Sequence, residues 1–450
     1  MNISTTAAAG NRTSVLTSNF TNATLLVLPV LVMLAGTGAV LLGMRRGLPL
    51  EEQLLLLLVA ALPVVTPRML RFGGITWDPV LGGVVWILVG LGIMTVARVE
   101  PELLSRQLLW IVFGWAALLA TVLLPDVTNI LRRYKYTWLI GGLALALTTM
   151  VFGRDLNGSG IRLWLQLGPL TIQPSELLKV LLVVYLAAYL DEQRELLTAF
   201  SVRWGLLRVP PLTYLLPLLI VVGITLMVLI FQRDLGPALQ YAGTFLAMVY
   251  IATGRRSYLL SGIGFFAVAA TAAWLVSGHV QDRVALWINP WDDPDGLGFQ
   301  SIQALGGLAF GGIAGRGPGY GYPWLIPAAH TDYPLAVIGE EWGLLGTLAV
   351  IALYAILTVR ALDIAARLEH DRFAQLLAAG LGIGLGLQAF IIMGGTLRLL
   401  PLTGITCPFL SYGGSSMVMS FVIAGLLLRL SNDVDSPVLR AVRPGGGVAT

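Results

Sequence analysis

The sequence predicts an all-α polytopic membrane protein with about twelve transmembrane helices and one large extracytoplasmic loop. Three observations predict it. Only 12% of the 450 residues are charged, about half the roughly 25% of an ordinary soluble domain, and the mean hydropathy is +0.82. Runs without Asp, Glu, Lys or Arg recur along most of the chain at lengths near the roughly 20 residues that a helix needs to cross a bilayer. A single interval, about 282–332, interrupts that rhythm with acids and glycines. A soluble globular enzyme and a disordered chain are both excluded.

The uncharged runs 13–44, 53–67, 79–97, 107–125, 136–153, 209–232, 235–254, 257–281, 342–359, 373–397 and 399–428 each read as one helix. The run 53–67 is short and ends in prolines, so it spans only with Glu51 and Glu52 at the interface. A twelfth helix at 173–190 is uncharged only from 180 and carries Glu176 and Lys179 inside the bilayer or at its edge. Residues 1–23 read as a polar tail; without a basic n-region they do not make a cleaved signal peptide. Residues 433–450, polar and Gly-rich, read as a disordered cytoplasmic tail.

Arginine and lysine orient the bundle. With both termini cytoplasmic, inside segments carry 17 basic residues and outside segments 10, with Lys179 counted as intramembrane. The Arg45-Arg46 pair opposes this orientation. The loop from about 282 to 332 then lies outside. Residues 306–321 within it contain eight glycines, interleaved with Ile302, Leu305, Leu308, Phe310 and Ile313 in a pattern that predicts short amphipathic helices on the membrane face. The net charge of +4 rests on 26 Arg and two Lys with no dense basic tract, so nucleic acid is not a partner. Cys407 alone makes no internal disulfide, and His279, His330 and His370 show no zinc spacing.

Several residues have two readings. Glu176 and Lys179 share a helical face at i,i+3: either an interfacial pair with a snorkelling lysine or part of a polar cavity for an anionic headgroup. Asp234 in FQRDLGPAL either satisfies a helix N-terminus or joins that cavity. Asp292, Asp293 and Asp295 in NPWDDPDGLG make either a solvated acidic turn or a turn holding a general base or metal ligand. Glu340 and Glu341, soon after Asp332, form either a structural network or a functional one. LPLTGITCPFLSYGGSS (400–416) is too rich in Pro and Gly for a regular helix, and irregular backbone at membrane depth must be buried in protein or line a cavity. Its exposed N–H groups suit phosphate. Together these describe a polar, mixed-charge cavity opening outward, which fits a transporter or an enzyme acting on a lipid-linked substrate.

Five segments, NGSGIRLWLQLGPLTIQPSELLK, FQRDLGPAL, NPWDDPDGLGFQSIQALGGLAFGG, HTDYPLAVIGEEWG and PLTGITCPFLSYGGSS, resemble the RodA/FtsW/SpoVE (SEDS) family over about residues 80–430. The resemblance implies a ten-helix glycosyltransferase domain at 79–432, preceded by two further helices in 24–78. It implies a peptidoglycan polymerase in the bacterial cytoplasmic membrane, active on lipid II at the outer face, beside a class B penicillin-binding protein (the transpeptidase). Asp293 is then the catalytic base for the acceptor 4-hydroxyl. Arg162, Arg283, Arg398, Lys179 or a divalent cation (Mg or Mn) neutralises the leaving pyrophosphate. Glu176 and Lys179 line the central cavity beside Asp293, with Asp234 and Gln303 in the same polar set. Trp164, His330, Thr331, Thr403, Ser411, Tyr412, Gly413, Gly414 and Ser415 complete the substrate-binding residues.

The chain departs from the family pattern at three places: Arg233 where a proline is usual, Asp295 where an apolar residue is usual, and Cys407 likewise. With Asp295 three acids crowd the turn, so that Asp292 or Asp295 either shares the base role with Asp293 or binds metal. SYGGSS and GGTLRLLPLTG lean to the elongation (RodA-like) branch over the division (FtsW-like) branch. A lipid II flippase and a non-catalytic scaffold remain as rivals, although no internal repeat of the kind a transporter often carries is present.

Overall fold

A computed structural model describes residues 27–45, 47–154, 162–168, 170–199, 202–204, 207–209 and 212–434. The expected tails, 1–23 and 433–450, lie outside these residues except for 433 and 434. In chain order the helices are α1 (Val27–Gly43), α2 (Leu50–Phe72), α3 (Pro79–Val99), α4 (Leu104–Leu123), α5 (Val127–Arg133) and α6 (Lys135–Phe152). A hairpin, β1 (Leu165–Leu167) and β2 (Leu170–Ile172), leads into α7 (Pro174–Ala199). A second hairpin, β3 (Val202–Trp204) and β4 (Leu207–Val209), precedes α8 (Leu212–Phe231), α9 (Leu235–Thr253) and α10 (Arg256–Val276). Two shorter helices, α11 (Gly278–Ile288) and α12 (Phe299–Gly311), cross the large loop. The chain ends with α13 (Pro334–Arg367), α14 (Arg372–Thr396) and α15 (Gly414–Val434).

Among the described residues nine helices are long and apolar enough to cross a membrane, and α1 and α8 contain shorter apolar stretches. Helix α7, with its charges, stands where the twelfth span was expected. The protein is therefore an all-α multi-pass membrane protein. The two three-residue hairpins were not anticipated, because such short strands carry no readable alternation.

Three expectations about boundaries change. Helix α2 runs to Phe72 with Pro63 and Pro67 inside it rather than ending there. A membrane helix tolerates internal proline where its neighbours hold it in place; between the two prolines Thr66 Oγ1 donates to Leu62 O at 2.6 Å and accepts from Trp115 Nε1 at 2.9 Å, which ties α2 to α4. Helix α13 begins at Pro334, not 342, and breaks at Gly343 (φ 67°, ψ −163°). The amides of Leu344 and Leu345 turn to the carbonyls of Gly312 and Ile313, at 2.9 and 3.3 Å. The run 399–428 is helical only from Gly414.

The central core is built where α15 packs on α4, α13 on α14, α6 on α7, and α9 on both α14 and α7. Trp86, Tyr185, Phe373 and Phe421 are fully buried there. Helix α1 packs on α3, α2 on α4, and α12 on α13. Helix α10 is apolar along its length, with Tyr258 its one buried residue.

Charges latch one end of the bundle. Asp78 caps α3, accepting from the amides of Val80 and Leu81 at 3.1 and 3.0 Å. Its other oxygen takes Arg360 Nε of α13 at 2.8 Å and Ser431 Oγ of α15 at 3.2 Å. Arg132 pairs with Asp191 at 2.8 Å, and Lys135 with Glu192, at the same end. Asp78→Ala removes a cap and a three-helix latch together, and is expected to lower stability by about 2 kcal/mol. Asp78→Asn, which can still cap, should fall in between. Unfolding in detergent measures both; equal losses for the two variants would show that the cap contributes nothing.

Candidate active site

The site is assembled at the opposite end of the bundle. Pro174 occupies the first turn of α7, where its missing N–H is no loss. One turn later Lys179 Nζ meets Glu176 Oε2 at 2.5 Å, and both side chains are at most 10% exposed. Lys179 also donates to Gln388 Oε1 of α14 at 2.8 Å. Gln388 Nε2 donates to Thr406 O at 2.9 Å, and Gln240 Nε2 of α9 reaches Gly384 O at 2.9 Å and Gln388 Oε1 at 3.2 Å. Thr406 Oγ1 lies 3.5 Å from Glu176 Oε1 and 2.6 Å from Ser416 Oγ. The pair is buried inside the protein, and the Lys179 ammonium turns to partners within the bundle. It is a buried ion pair whose remaining hydrogen-bonding capacity is met by amides and hydroxyls, as a charge at this depth requires.

Asp234 precedes α9, but its side chain does not cap that helix. Its Oδ2 lies 3.4 Å from both Gln173 Nε2 and Ser175 Oγ. Ser175 is held by Tyr241, whose hydroxyl donates to its carbonyl. Gln173 N donates to Ser415 Oγ at 3.2 Å, which ties this group to the start of α15. Asp234 is thus joined to α7 and to the SYGGSS segment by short polar links.

The 397–413 segment is irregular, and its backbone is satisfied by side chains. Arg283 of α11 donates to Leu402 O, and Tyr354 OH to Pro408 O at 2.5 Å. Ser411 Oγ donates to Thr331 O at 2.6 Å and accepts from Cys407 N at 2.8 Å. Tyr412 N donates to His330 O at 2.8 Å, and the two rings lie 5.8 Å apart. The HTD and SYGG motifs are therefore zipped together. Cys407 is buried, with Sγ 3.1 Å from Tyr354 OH. Gly414 lies against Trp110, which a Cβ would strike at 2.2 Å. Thr403 Oγ1 is buried and has no hydrogen-bond partner among the described residues.

Arg398 (φ 56°) bolts this segment to α11, donating to Trp287 O at 2.9 Å and Ile288 O at 2.8 Å. Its guanidinium stacks 5.1 Å from the Trp291 ring centroid. Between these elements lies a cavity of about 200 Å³ whose walls include His279, Asp282, Arg283, Leu297, Gln300 and Arg398. Arg283 Nε lies 3.3 Å from His279 Nε2. Burial lowers the pKa of both His279 and His330, with the Arg283 charge adding to the effect at His279. Burial pushes Asp332 up to about 6, opposed by the Arg283 charge and the Thr331 hydrogen bond.

Asp293 follows a single 3₁₀ turn, Pro290–Asp292. Its Oδ2 accepts the Leu297 amide at 2.8 Å and its carbonyl accepts the Gly298 amide at 3.0 Å. A Cβ at Gly296 would come within 2.3 Å of this carboxylate, and one at Gly298 within 2.0 Å of Pro290 O, so the turn closes only with glycine at both. Asp293 is exposed, and Leu297, which fixes it, is also a wall of the cavity. Asp292 is engaged by Asn289 Nδ2 at 2.5 Å. The exposed Asp295 makes no hydrogen bond or ion pair among the described residues.

Not every candidate converges. Among the described residues no hydrogen bond or ion pair joins Asp293 to Glu176 or Lys179; the first stands on an exposed turn and the other two inside the bundle. Arg162 is exposed and Trp164 half-buried on the chain returning from α6, where Arg154 N donates to Trp164 O at 2.8 Å. Gln303 is half-buried on α12. Gln173, Ser175, Gln240, Tyr241, Gln388 and Thr406 were not among the sequence candidates. Gln240 and Gln388 carried a signal, since an amide within an apolar span needs a partner. Among the described residues no three of His, Cys, Asp and Glu sit together to hold a metal ion.

A family model described as "Cell cycle protein", covering FtsW, RodA and SpoVE, matches residues 75–436. The chain belongs to the FtsW/RodA/SpoVE family. It is 38% identical over 379 residues to the peptidoglycan glycosyltransferase RodA of Mycobacterium tuberculosis, covering 82% of this chain and 80% of that protein. It is 34% identical over 333 residues to the probable peptidoglycan glycosyltransferase FtsW of Geobacter metallireducens, covering 73% and 84%. Two solved structures share the FtsW/RodA/SpoVE fold seen here. One comes from a study of how a peptidoglycan synthase complex coordinates polymerization and crosslinking (TM-score 0.66, 28% identity, 80% of this chain and 98% of that one). The other is the Rod shape determining protein RodA of Thermus thermophilus (TM-score 0.58, 26% identity, 80% and 98%).

Removing one partner of the buried pair leaves an uncompensated charge. Lys179→Ala is expected to lower stability by about 3–5 kcal/mol, and Glu176→Gln with Lys179→Met to recover most of it. Unfolding of the purified variants checks this, and a double variant no better than the single would refute it. The Asp332 carboxyl is raised in the fold, so it binds a proton more readily than in the unfolded chain. Its contribution to stability is complete below about 4 and is lost as pH rises through about 6. Asp332→Asn should therefore flatten the fall in melting temperature over that window, as a pH series on both proteins will show.

Proposed function

We propose that the protein is a peptidoglycan glycosyltransferase of the RodA kind, polymerising lipid II at the outer face of the bacterial cytoplasmic membrane for cell elongation. One structural observation carries the chemistry: an exposed carboxylate, Asp293, is fixed on a glycine-pinned turn by the amide of Leu297, and Leu297 lines a cavity that holds the cations Arg283 and Arg398. Oδ2 is anchored by the Leu297 amide, and among the described residues Oδ1 has no partner, so one oxygen orients the group while the other accepts a proton. The 38% identity to a RodA over most of both chains supports the substrate class.

In the reaction, Asp293 takes the proton of the acceptor's sugar 4-hydroxyl as that oxygen attacks the donor's anomeric carbon. The bond from that carbon to the phosphate oxygen breaks, and the lipid pyrophosphate leaves with the electron pair. Charge developing on the pyrophosphate needs fixed donors in a site poor in water. Arg283 and Arg398 stand at the cavity for this role, with Arg162 further out. Glu176, Lys179 and Asp234 supply buried polar groups, and the zipped His330-Thr331 and Ser411-Tyr412 segments, with Gln303 and Thr403, are proposed to bind the substrate. No step is routed through a metal ion.

The placement of basic residues supports the orientation: the larger share lies at the end latched by Asp78 and Arg360, away from Asp293. A class B penicillin-binding protein is the proposed partner, supported by the neighbour that belongs to a peptidoglycan synthase complex. The test is lipid II polymerisation by the purified protein with that partner. Asp293→Asn is expected to reduce strand synthesis by about 10²–10⁴-fold without loss of folding. Equal product from wild type and variant would move the base to Asp292, Asp295 or Asp234. No product from either, with the partner competent elsewhere, would favour a flippase or scaffold.

A further inference from the structure

Helix α1 lies wholly ahead of residue 75, where the family match begins. It makes three close contacts on one side, at Gly36, Val40 and Gly43. A Cβ at Gly36 would fall 2.5 Å from Met94 Sδ of α3. Val40 is 1% exposed and faces a narrow gap shared with Arg98 and Glu341. Gly43 meets the outer loop: a Cβ there would lie 2.7 Å from Pro318 O and 3.0 Å from Gly319 Cα. The contact is reciprocal, since a Cβ at Gly319 would lie 2.9 Å from both Gly43 Cα and Val40 O. Two backbones touch here because neither carries a side chain, the device by which small residues bring membrane helices together.

The loop that α1 touches is held from behind by a buried charge set. Arg98 of α3 forms an ion pair with Glu341 of α13, each side chain 3% exposed. Arg98 Nη2 also donates to Gly321 O at 2.6 Å, and Trp324 stacks 5.0 Å above the guanidinium. The Gly319 amide donates to Glu341 Oε2 at 3.0 Å and the Tyr322 amide to Glu340 Oε1 at 2.7 Å. The same stretch of α13 seats α12, whose Gly311 could not gain a Cβ without meeting Gly339 O at 1.9 Å. Helix α12 starts six residues after Asp293, and the turn between them is closed by the Gly298 amide on Asp293 O at 3.0 Å.

We infer that α1 is a positioning brace for the outer loop: Gly43 bears on Gly319, Val40 covers the Arg98–Glu341 pair, and together they hold the platform from which the Asp293 turn projects. The inference rests on the proposed polymerase reading for its catalytic consequence and on geometry alone for its mechanical one. A displacement of the order of 1 Å far from the reacting atoms suffices to slow an enzyme by about 10²-fold.

The test compares Gly43→Leu with Gly38→Leu in the full-length protein with its partner synthase. Gly38 is on the same helix and has open space around its Cα. Two readouts are taken: lipid II polymerisation kinetics, and hydrogen–deuterium exchange across 312–322. Gly43→Leu is expected to speed exchange at the Gly317 and Gly319 amides and to lower kcat about tenfold or more, with KM for lipid II unchanged. Gly38→Leu is expected to match wild type in both. Val40→Ala, which introduces no clash, is a second variant in case Gly43→Leu fails to fold, and should also speed exchange. Unchanged exchange in folded Gly43→Leu and Val40→Ala overturns the brace. Faster exchange with unchanged kcat overturns its catalytic role. If wild type makes no strands at all, the polymerase reading fails, and with it the catalytic consequence, while exchange still decides the mechanical contact.

Discussion

The structure depends on keeping one ammonium group charged inside a membrane bundle. Lys179 is buried in the second turn of α7, so it finds its counter-charge and acceptors locally. Glu176 supplies the charge and Gln388 the further acceptor. Gln388 in turn engages Thr406, and Thr406 engages Ser416. The chain of bonds runs from α7 through α14 into the irregular 400–416 segment and onto the start of α15. One buried cation thus accounts for why three helices and a non-helical stretch are held in register.

The same requirement explains the non-helical backbone. Pro401, Pro408 and the glycines of 400–416 forbid a continuous helix, and the carbonyls they leave open are taken up by Arg283, Gln388 and Tyr354. The break in α13 follows the same logic with backbone in place of side chains: amides released at Gly343 are accepted by Gly312 and Ile313. Loop and helices are mutually dependent, and the outer loop is part of the bundle's hydrogen bonding as much as an attachment to it.

Much of the fold was legible because charge spacing in an apolar chain is a strong signal. The twelve expected span positions all contain helices, and Glu176 and Lys179, odd in an apolar stretch, form a buried pair. Less was legible where a residue's partner is distant in sequence. Asp234 had two readings, a helix N-terminus and a polar set, and its side chain caps no helix but faces Gln173 and Ser175. Glu340 and Glu341 had equal claims as functional and structural acids; their partners, Arg98 and the amides of Gly319 and Tyr322, make them the loop's anchor. The uncharged run 53–67 stops at its prolines, whereas the helix runs on to Phe72 with Pro63 and Pro67 inside it. The Asp293 turn, a local motif, could be read from its own residues.

Cys407 replaces an apolar residue and behaves as one: it is 2% exposed and packed against the Tyr354 hydroxyl. It is also the chain's sole thiol. The native sequence is therefore already a silent background for site-directed labelling. A cysteine placed on an exposed surface would be the one reagent-accessible sulfur, so spectroscopic probes and crosslinkers can be attached without first stripping the molecule of its own.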